Sequence, residues 1–180
     1  MSWQQEDHQL LLAAADEFSD YLHSSTLQWK ANFSQVFTAG RILLAQKRAP
    51  FLIDKFPNNL VLIEKIDRVK LENKAIWQRK IELEIPYRLK IWQNMLQDYM
   101  DERLDSSYSA QVSNRVMLTL LMNEVDILHP SIEITLNELD DKLRTLAGDG
   151  DFIWDPVVAP GFSKVDYWYL YTNMKGGSIA

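Results

Sequence analysis

The N-terminal quarter of the chain sets the strongest constraint on the fold, because it lacks proline and its apolar residues keep helical spacing. Between residues 5 and 47 there is one glycine, Gly40. The positions of one face step by three or four residues throughout: Leu11, Ala15, Phe18, Leu22, Thr26, Trp29, Phe33, Val36, Gly40 and Leu43. This spacing predicts one long helix or two abutting helices.

One uninterrupted helix over residues 5–47 would be about 65 Å long at about 1.5 Å per residue. That length exceeds the dimensions of a compact domain of this size, so the helix is expected to protrude or to break. The sequence favours a break at His23-Ser24-Ser25-Thr26. There, Ser25 followed by Gln28 fits a capping box that would begin a second helix.

Five large apolar residues of this face form the first-helix seam, which we interpret as a surface for another protein or for a second copy of the chain. Its members are Phe18, Leu22, Trp29, Phe33 and Val36. The seam predicts a non-enzymatic scaffold or adaptor, with a homodimer as one form of the interaction.

Residues 59–147 are expected to form the rest of a helical bundle. Asn58-Asn59 is an N-cap signal for a helix that starts near Asn59. Residues 80–86 alternate between apolar and charged over most of their length, which fits a strand as well as a helix. Pro86 is expected in the first turn of the next helix, which should reach about Leu104.

Two further helices are predicted on either side of His129-Pro130, where proline breaks the periodicity. The first, over residues 109–128, is apolar on most faces and is expected at the centre of the bundle. The second is expected to stop at Gly148. Its acidic residues, which we interpret as its solvent-facing side, are Glu138, Asp140 and Asp141.

The last segment, residues 148–180, is expected to be irregular and rich in aromatic residues. We interpret it as a strap that closes the bundle, or else as the rim of a pocket or a docking surface. The residues that carry this prediction are Trp154, Tyr167, Trp168 and Tyr171. The sequence as a whole therefore predicts a single all-α domain, with a long helix or helix pair in residues 1–49, a helical bundle in residues 59–147, and the strap.

The composition excludes several classes of function. The chain has 180 residues and no cysteine, which rules out disulfides, thiolate zinc sites and cysteine nucleophiles. We see no signal peptide, and the longest apolar runs are far shorter than the roughly 20 residues that span a bilayer. A cytoplasmic protein without membrane insertion is the resulting expectation.

Charge is distributed in blocks along the chain. Residues 1–25 carry a net charge of −5, residues 26–97 of +7 and residues 98–155 of −9. We interpret the blocks as complementing one another within the fold. The alternative is that residues 65–90, with Trp77 among their bases and Trp92 just after them, bind nucleic acid or another polyanion, although the overall acidity makes this the weaker prediction.

Two Asp-x-x-His pairs are the weak candidates for a metal site: Asp20, His23, Asp126 and His129. Paired acid–histidine units occur in di-iron helical bundles, so a small-molecule or metal-dependent enzyme is an alternative function. Chance pairing explains them more simply in a chain this acidic. We find no glycine-rich phosphate loop, nucleophile elbow or zinc-protease motif, and we predict no catalytic residue and no cofactor.

Overall fold

The structure is a computed structural model that describes residues 1–31, 35–101 and 107–175. These residues form seven α-helices and two small sheets, and the protein is 69% helical, which confirms the predominantly α-helical fold class. The helices are α1 Trp3–His23, α2 Ala39–Arg48, α3 Asn59–Glu72, α4 Lys74–Met100, α5 Tyr108–Gln111, α6 Ser113–Glu124 and α7 Pro130–Leu146. The strands are β1 Trp29–Lys30, β2 Val36–Phe37, β3 Ala147–Asp149 and β4 Thr172–Met174.

The chain divides into two compact units, each described separately below. Unit 1 consists of residues 1–85 and 119–125, and unit 2 consists of residues 86–118 and 126–180. The single-domain organisation stays a prediction.

In unit 1, α1 begins at a capping box and ends where the sequence predicted a break. The Ser2 side chain accepts a hydrogen bond from the Gln5 backbone, and the Gln5 side chain accepts one from the Ser2 backbone. The helix stops at His23, and the backbone N–H of Ser24 bonds to the carbonyls of the preceding turn.

The helix that was expected to resume after Thr26 does not form, so that prediction is wrong. Instead, β1 and β2 form an antiparallel hairpin in which Trp29 lies opposite Phe37. Phe37 is fully buried and packs edge-to-face on Tyr21, with ring centroids 5.4 Å apart. The tertiary contact of Phe37 therefore decides the local structure here, although the apolar residues have helical spacing. The second helix of the N-terminal region, α2, begins only after Thr38, whose hydroxyl caps it.

The next boundary lies at Asn73, between α3 and α4. As predicted, α3 starts at Asn59. It was wrong to expect Pro86 in the first turn of a helix, because α4 runs through it and residues 80–86 are helical. Proline has no N–H to donate to the carbonyl of Glu82, and both residues are exposed, so water can solvate that carbonyl.

The core of unit 1 is formed by apolar residues of α1, α2, α3 and α4. Phe18 packs against Trp77 with ring centroids 5.6 Å apart. Other fully buried members are Leu11, Leu22, Ile42, Ile66 and Ile81.

Unit 2 contains α5, α7, most of the aromatic C-terminal segment and the β3–β4 sheet. As predicted, α7 begins at Pro130, and the His129 side chain caps it by accepting from the Ser131 backbone. The helix ends at Leu146, and Ala147 pairs with Met174 across the antiparallel sheet. The strap is therefore held at its end by strand pairing. The predicted helix end at Leu104 lies outside the described residues.

Candidate binding pocket

A pocket of about 460 Å³ lies in unit 1 where α1 ends, and we call it the α1-end pocket. The last turn of α1 and the residues after it form one wall, and one face of α4 forms the other. The lining residues are Leu22, His23, Ser24, Ser25, Ile76, Arg79, Lys80 and Leu83. The four residues from α4 share a wall because they are spaced by three, one and three positions on the helix.

Lys80 closes the end of α1. The residue is 4% exposed, and its ammonium donates to the carbonyls of Ser24 at 2.7 Å and Thr26 at 2.8 Å and to the Ser24 hydroxyl at 3.1 Å. A lysine ammonium has three N–H donors, so all of them are used. Burial lowers the pKa of Lys80. The ammonium also lies 4.5 Å from the centre of the Tyr21 ring. Lys80 therefore holds the chain in place where it leaves α1.

Glu84, one helical turn after Lys80, acts in the same way at the start of α2. Its carboxylate is fully buried and accepts hydrogen bonds from the Thr38 hydroxyl at 2.6 Å and the Gly40 N–H at 3.0 Å. Helix N-termini attract negative charge and C-termini attract positive charge. Thus α4 presents a cation to the end of α1 and an anion to the beginning of α2.

The Tyr21 hydroxyl joins these two contacts. It accepts from the Ala39 N–H at 3.1 Å and lies 3.5 Å from the Leu27 carbonyl oxygen. Sequence reasoning missed this network, because it considered Lys80 and Glu84 only as members of the charged region 65–90. The signal was the opposite charges at a spacing of four in a segment whose neighbours are apolar.

The rim of the α1-end pocket is cationic and partly apolar. Arg79 is exposed and has no ion-pair partner among residues 1–31, 35–101 and 107–175. The Leu83 side chain is 56% exposed although it is apolar. His23 is exposed, and its Nδ1 lies 2.8 Å from the Ser19 carbonyl oxygen. Because no lining residue is acidic, the pocket suits a ligand that combines an apolar group with a negative charge.

The first-helix seam does not exist as one helical face. Phe18 and Leu22 are each 1% exposed and belong to the core of unit 1. Trp29 is in β1 and Val36 in β2, both half-buried, and the Trp29 indole donates to Glu17 at 2.8 Å. Phe33 lies outside the described residues. That these side chains contact a partner stays a prediction.

The two histidines among the weak metal candidates make local contacts. His23 contacts the backbone of its own helix, and His129 caps α7. Asp20 lies on the exposed side of α1, and Asp126 lies just before α7. In the ranges that the structure describes, no three His, Asp or Glu side chains are grouped so that they could hold a metal ion.

The region proposed to bind polyanions has its aromatic side chains turned inward. Trp77 is 3% exposed and Trp92 is fully buried, so neither offers a surface on which a base could stack. Lys80 and Arg88 are also buried, and Arg88 donates to Asn114 at 2.8 Å. That the charge blocks complement one another within the fold stays a prediction.

The aromatic residues of the strap pack on one another in unit 2. Tyr167 is buried against Phe162, with ring centroids 5.0 Å apart, and the Tyr171 hydroxyl donates to the Phe162 carbonyl. Trp154 is half-buried, and its indole donates to the Ser109 carbonyl at 2.8 Å. Trp168 is also half-buried, and the Arg144 guanidinium lies 3.8 Å from the centre of its ring. The contacts are those of a strap; a role in binding stays a prediction for all four residues named from the sequence.

A buried ion pair packs against an aromatic ring of the strap. Arg115 donates to both carboxylate oxygens of Asp140, at 2.9 and 2.7 Å, and its guanidinium lies 4.4 Å from the centre of the Tyr169 ring. Burial is the largest single influence and works to lower the pKa of Arg115, but the hydrogen bonds to Asp140 and the electrostatic interactions with Asp140, Tyr169 and Tyr108 together outweigh it, so the pKa is raised. Asp140, expected on the solvent side of α7, is a structural residue instead.

Comparison with known proteins adds no family to this description. No protein family, curated protein or solved structure matches the chain. Across the described residues, none of the helices combines the length and the hydropathy that a bilayer span requires.

Proposed function

We propose that the chain is a non-enzymatic adaptor of the cytoplasm that binds a partner protein through the α1-end pocket. The observation that carries the proposal is the lining of this pocket, where the exposed Leu83 and Arg79 stand beside a buried, fully bonded Lys80. Exposed apolar side chains next to an arginine are typical of the residues that dominate protein interfaces.

The hydrogen bonds of the pocket favour binding over bond-making chemistry. The Lys80 ammonium directs its three protons to oxygen atoms, and a nucleophilic amine needs a lone pair. The Ser24 hydroxyl donates to the Tyr21 carbonyl at 2.8 Å. These groups hold the shape of the pocket, which is the property that a preformed binding site requires.

A second copy of the chain is the other partner considered, and it was predicted from the first-helix seam. Since Phe18 and Leu22 are core residues, the proposal places the interaction at the pocket and not at the seam. Light scattering on the purified protein at two concentrations tests self-association directly. A monomer at both concentrations leaves a different protein as the partner.

The proposal is tested by photocrosslinking in cells, with a benzoylphenylalanine placed at Leu83 of the full chain. The matched control carries the same residue at Leu71, which is 78% exposed on α3 of the same unit. We expect a discrete adduct from position 83 that position 71 does not give and that Arg79→Glu weakens. The same adducts from both positions, or none from position 83, would contradict the proposal.

A further inference from the structure

We infer that the occupant of the α1-end pocket is an acidic peptide segment of the partner, in which a carboxylate stands next to a branched apolar side chain. This inference rests on the proposed function and names the chemistry of the ligand. It depends on three features of the pocket: a cation without an ion-pair partner in the described part of the chain, an apolar wall, and the end of α1 with Lys80 bonded beside it.

The uncommitted cation is Arg79. Its guanidinium is exposed and carries five N–H donors in a planar fork, and no acidic residue lines the pocket to occupy them. A carboxylate matches that fork with two parallel hydrogen bonds. Lys80 adds a positive charge that is buried and therefore less screened by salt than a surface charge.

The apolar wall is formed by Leu22, Ile76 and Leu83. Leu83 lies one turn after Arg79 on α4, so an apolar group against Leu83 brings an adjacent carboxylate within reach of the guanidinium. The volume of about 460 Å³ lies within the range of small-ligand pockets, where a few polar groups fix the orientation of an apolar ligand.

The end of α1 explains why a single negative charge is favoured over a phosphate. The carbonyls at a helix C-terminus repel anions, whereas phosphate sites commonly use the N–H groups of a helix N-terminus. Here the Lys80 ammonium bonds the carbonyl of Ser24, the C-cap of α1, and the carbonyl of Thr26 in the turn beyond it, so a positive charge beside the helix end offsets part of that repulsion. Among the residues that the structure describes, the one uncommitted arginine of the lining balances the charge of a monoanion but not that of a dianion.

The test is an NMR titration of the full-length ¹⁵N-labelled protein with two short peptides, Ac-Gly-Gly-Leu-Asp-NH2 and the uncharged Ac-Gly-Gly-Leu-Asn-NH2. We expect saturable shifts of the amides of residues 22–25 and 76–83 with the acidic peptide. The neutral peptide should bind about tenfold more weakly, the ratio that one charge-assisted contact gives. Arg79→Gln should abolish the difference, and the spectrum of that variant shows whether it is folded.

Each other outcome overturns the inference in a different way. Equal binding of both peptides, weakened for both by Leu83→Asn, would make the pocket an apolar peptide site and leave the proposed function standing. Equally tight binding of free isovalerate would make the ligand a small acid and not a peptide. Absence of shifts with all three probes would remove the acidic peptide, and the crosslinking at position 83 would then decide the proposed function independently.

Discussion

Thr38 and Glu84 are 46 residues apart in the sequence and share a buried hydrogen bond, with the two oxygen atoms 2.6 Å apart. Thr38 is also the N-cap of α2, where its hydroxyl accepts from the Arg41 N–H. The first turn of α2 is therefore satisfied both by its own cap and by a carboxylate from α4. A helix start held from two sides is expected to resist fraying.

We predict that Glu84→Gln lowers the free energy of unfolding by about 2 kcal/mol, because an amide group would turn a donor toward a buried donor. The measurement is urea denaturation, and the exposed Glu82→Gln on the same helix is the control. Combined with Thr38→Val in a double-mutant cycle, the pair should show a coupling of about 1–2 kcal/mol. A loss no larger than that of Glu82→Gln would refute the role given to the buried carboxylate.

Lys80→Met should destabilise unit 1 by about 2 kcal/mol, because the carbonyls of Ser24 and Thr26 lose a charged donor. Methionine keeps much of the apolar length of lysine, so lost packing contributes little. Arg79→Met, at the neighbouring exposed position, should change stability by less than about 0.5 kcal/mol. Thermal and urea unfolding compare the stability of the two variants. Equal losses would contradict the conclusion that Lys80 holds the chain in place where it leaves α1.

Asp140→Asn in unit 2 is expected to lower the free energy of unfolding by about 3–5 kcal/mol, because it leaves the buried Arg115 guanidinium without its counter-charge. The adjacent Asp141 is exposed, so Asp141→Asn serves as the control. Near-ultraviolet circular dichroism follows the aromatic cluster during unfolding. If both variants unfold at the same urea concentration, the ion pair contributes no stability.

The stability of the protein is expected to fall as the pH rises above 10, and Tyr108 is one cause. Its hydroxyl donates to the Tyr169 carbonyl at 2.8 Å, and burial raises its pKa above the ordinary value of 10.0. Above that pH the unfolded chain has lost this proton while the folded protein still binds it, so stability decreases with pH.

Tyr108→Phe removes that contribution, so its stability should fall less steeply above pH 10 than that of the unsubstituted protein. At neutral pH the variant should be about 1 kcal/mol less stable, because the hydrogen bond is lost. Tyr87→Phe, at a position that is 40% exposed, is the control. Denaturant unfolding from pH 7 to 11 tests both statements, and identical slopes for the two variants would contradict the assignment.

Local rules located several helix ends in this sequence. The stop at His23, the start at Asn59 and the boundary at Pro130 depend on caps and on proline, which act over a few residues. The hairpin after α1 could not be found in this way, because it depends on Phe37 packing against Tyr21. The interior position of Pro86 was missed for a different reason, since the helix boundary lies earlier, at Asn73, the C-cap of α3.

The candidate pocket could not be predicted from the sequence, because its walls come from distant parts of the chain. Its two walls, residues 22–25 and residues 76–83, are separated by about fifty residues in the chain, and neither wall contains a motif. In the sequence, Arg79 and Lys80 are adjacent bases and Glu84 is one of several acids interleaved with them, so the charge pattern sets none of the three apart. The structure leaves Arg79 exposed and buries the other two, and that difference arises only from the packing of α4.

The engagement of the Lys80 ammonium has a practical consequence for measuring motion. Acylating reagents need an accessible amine, and the Lys80 amine becomes accessible only when the turn after α1 moves away from α4. The rate at which Lys80 is labelled, relative to that of an exposed lysine such as Lys65, therefore reports how often that turn opens. Mass spectrometry of the one peptide that contains Lys80 therefore measures local opening without an added probe.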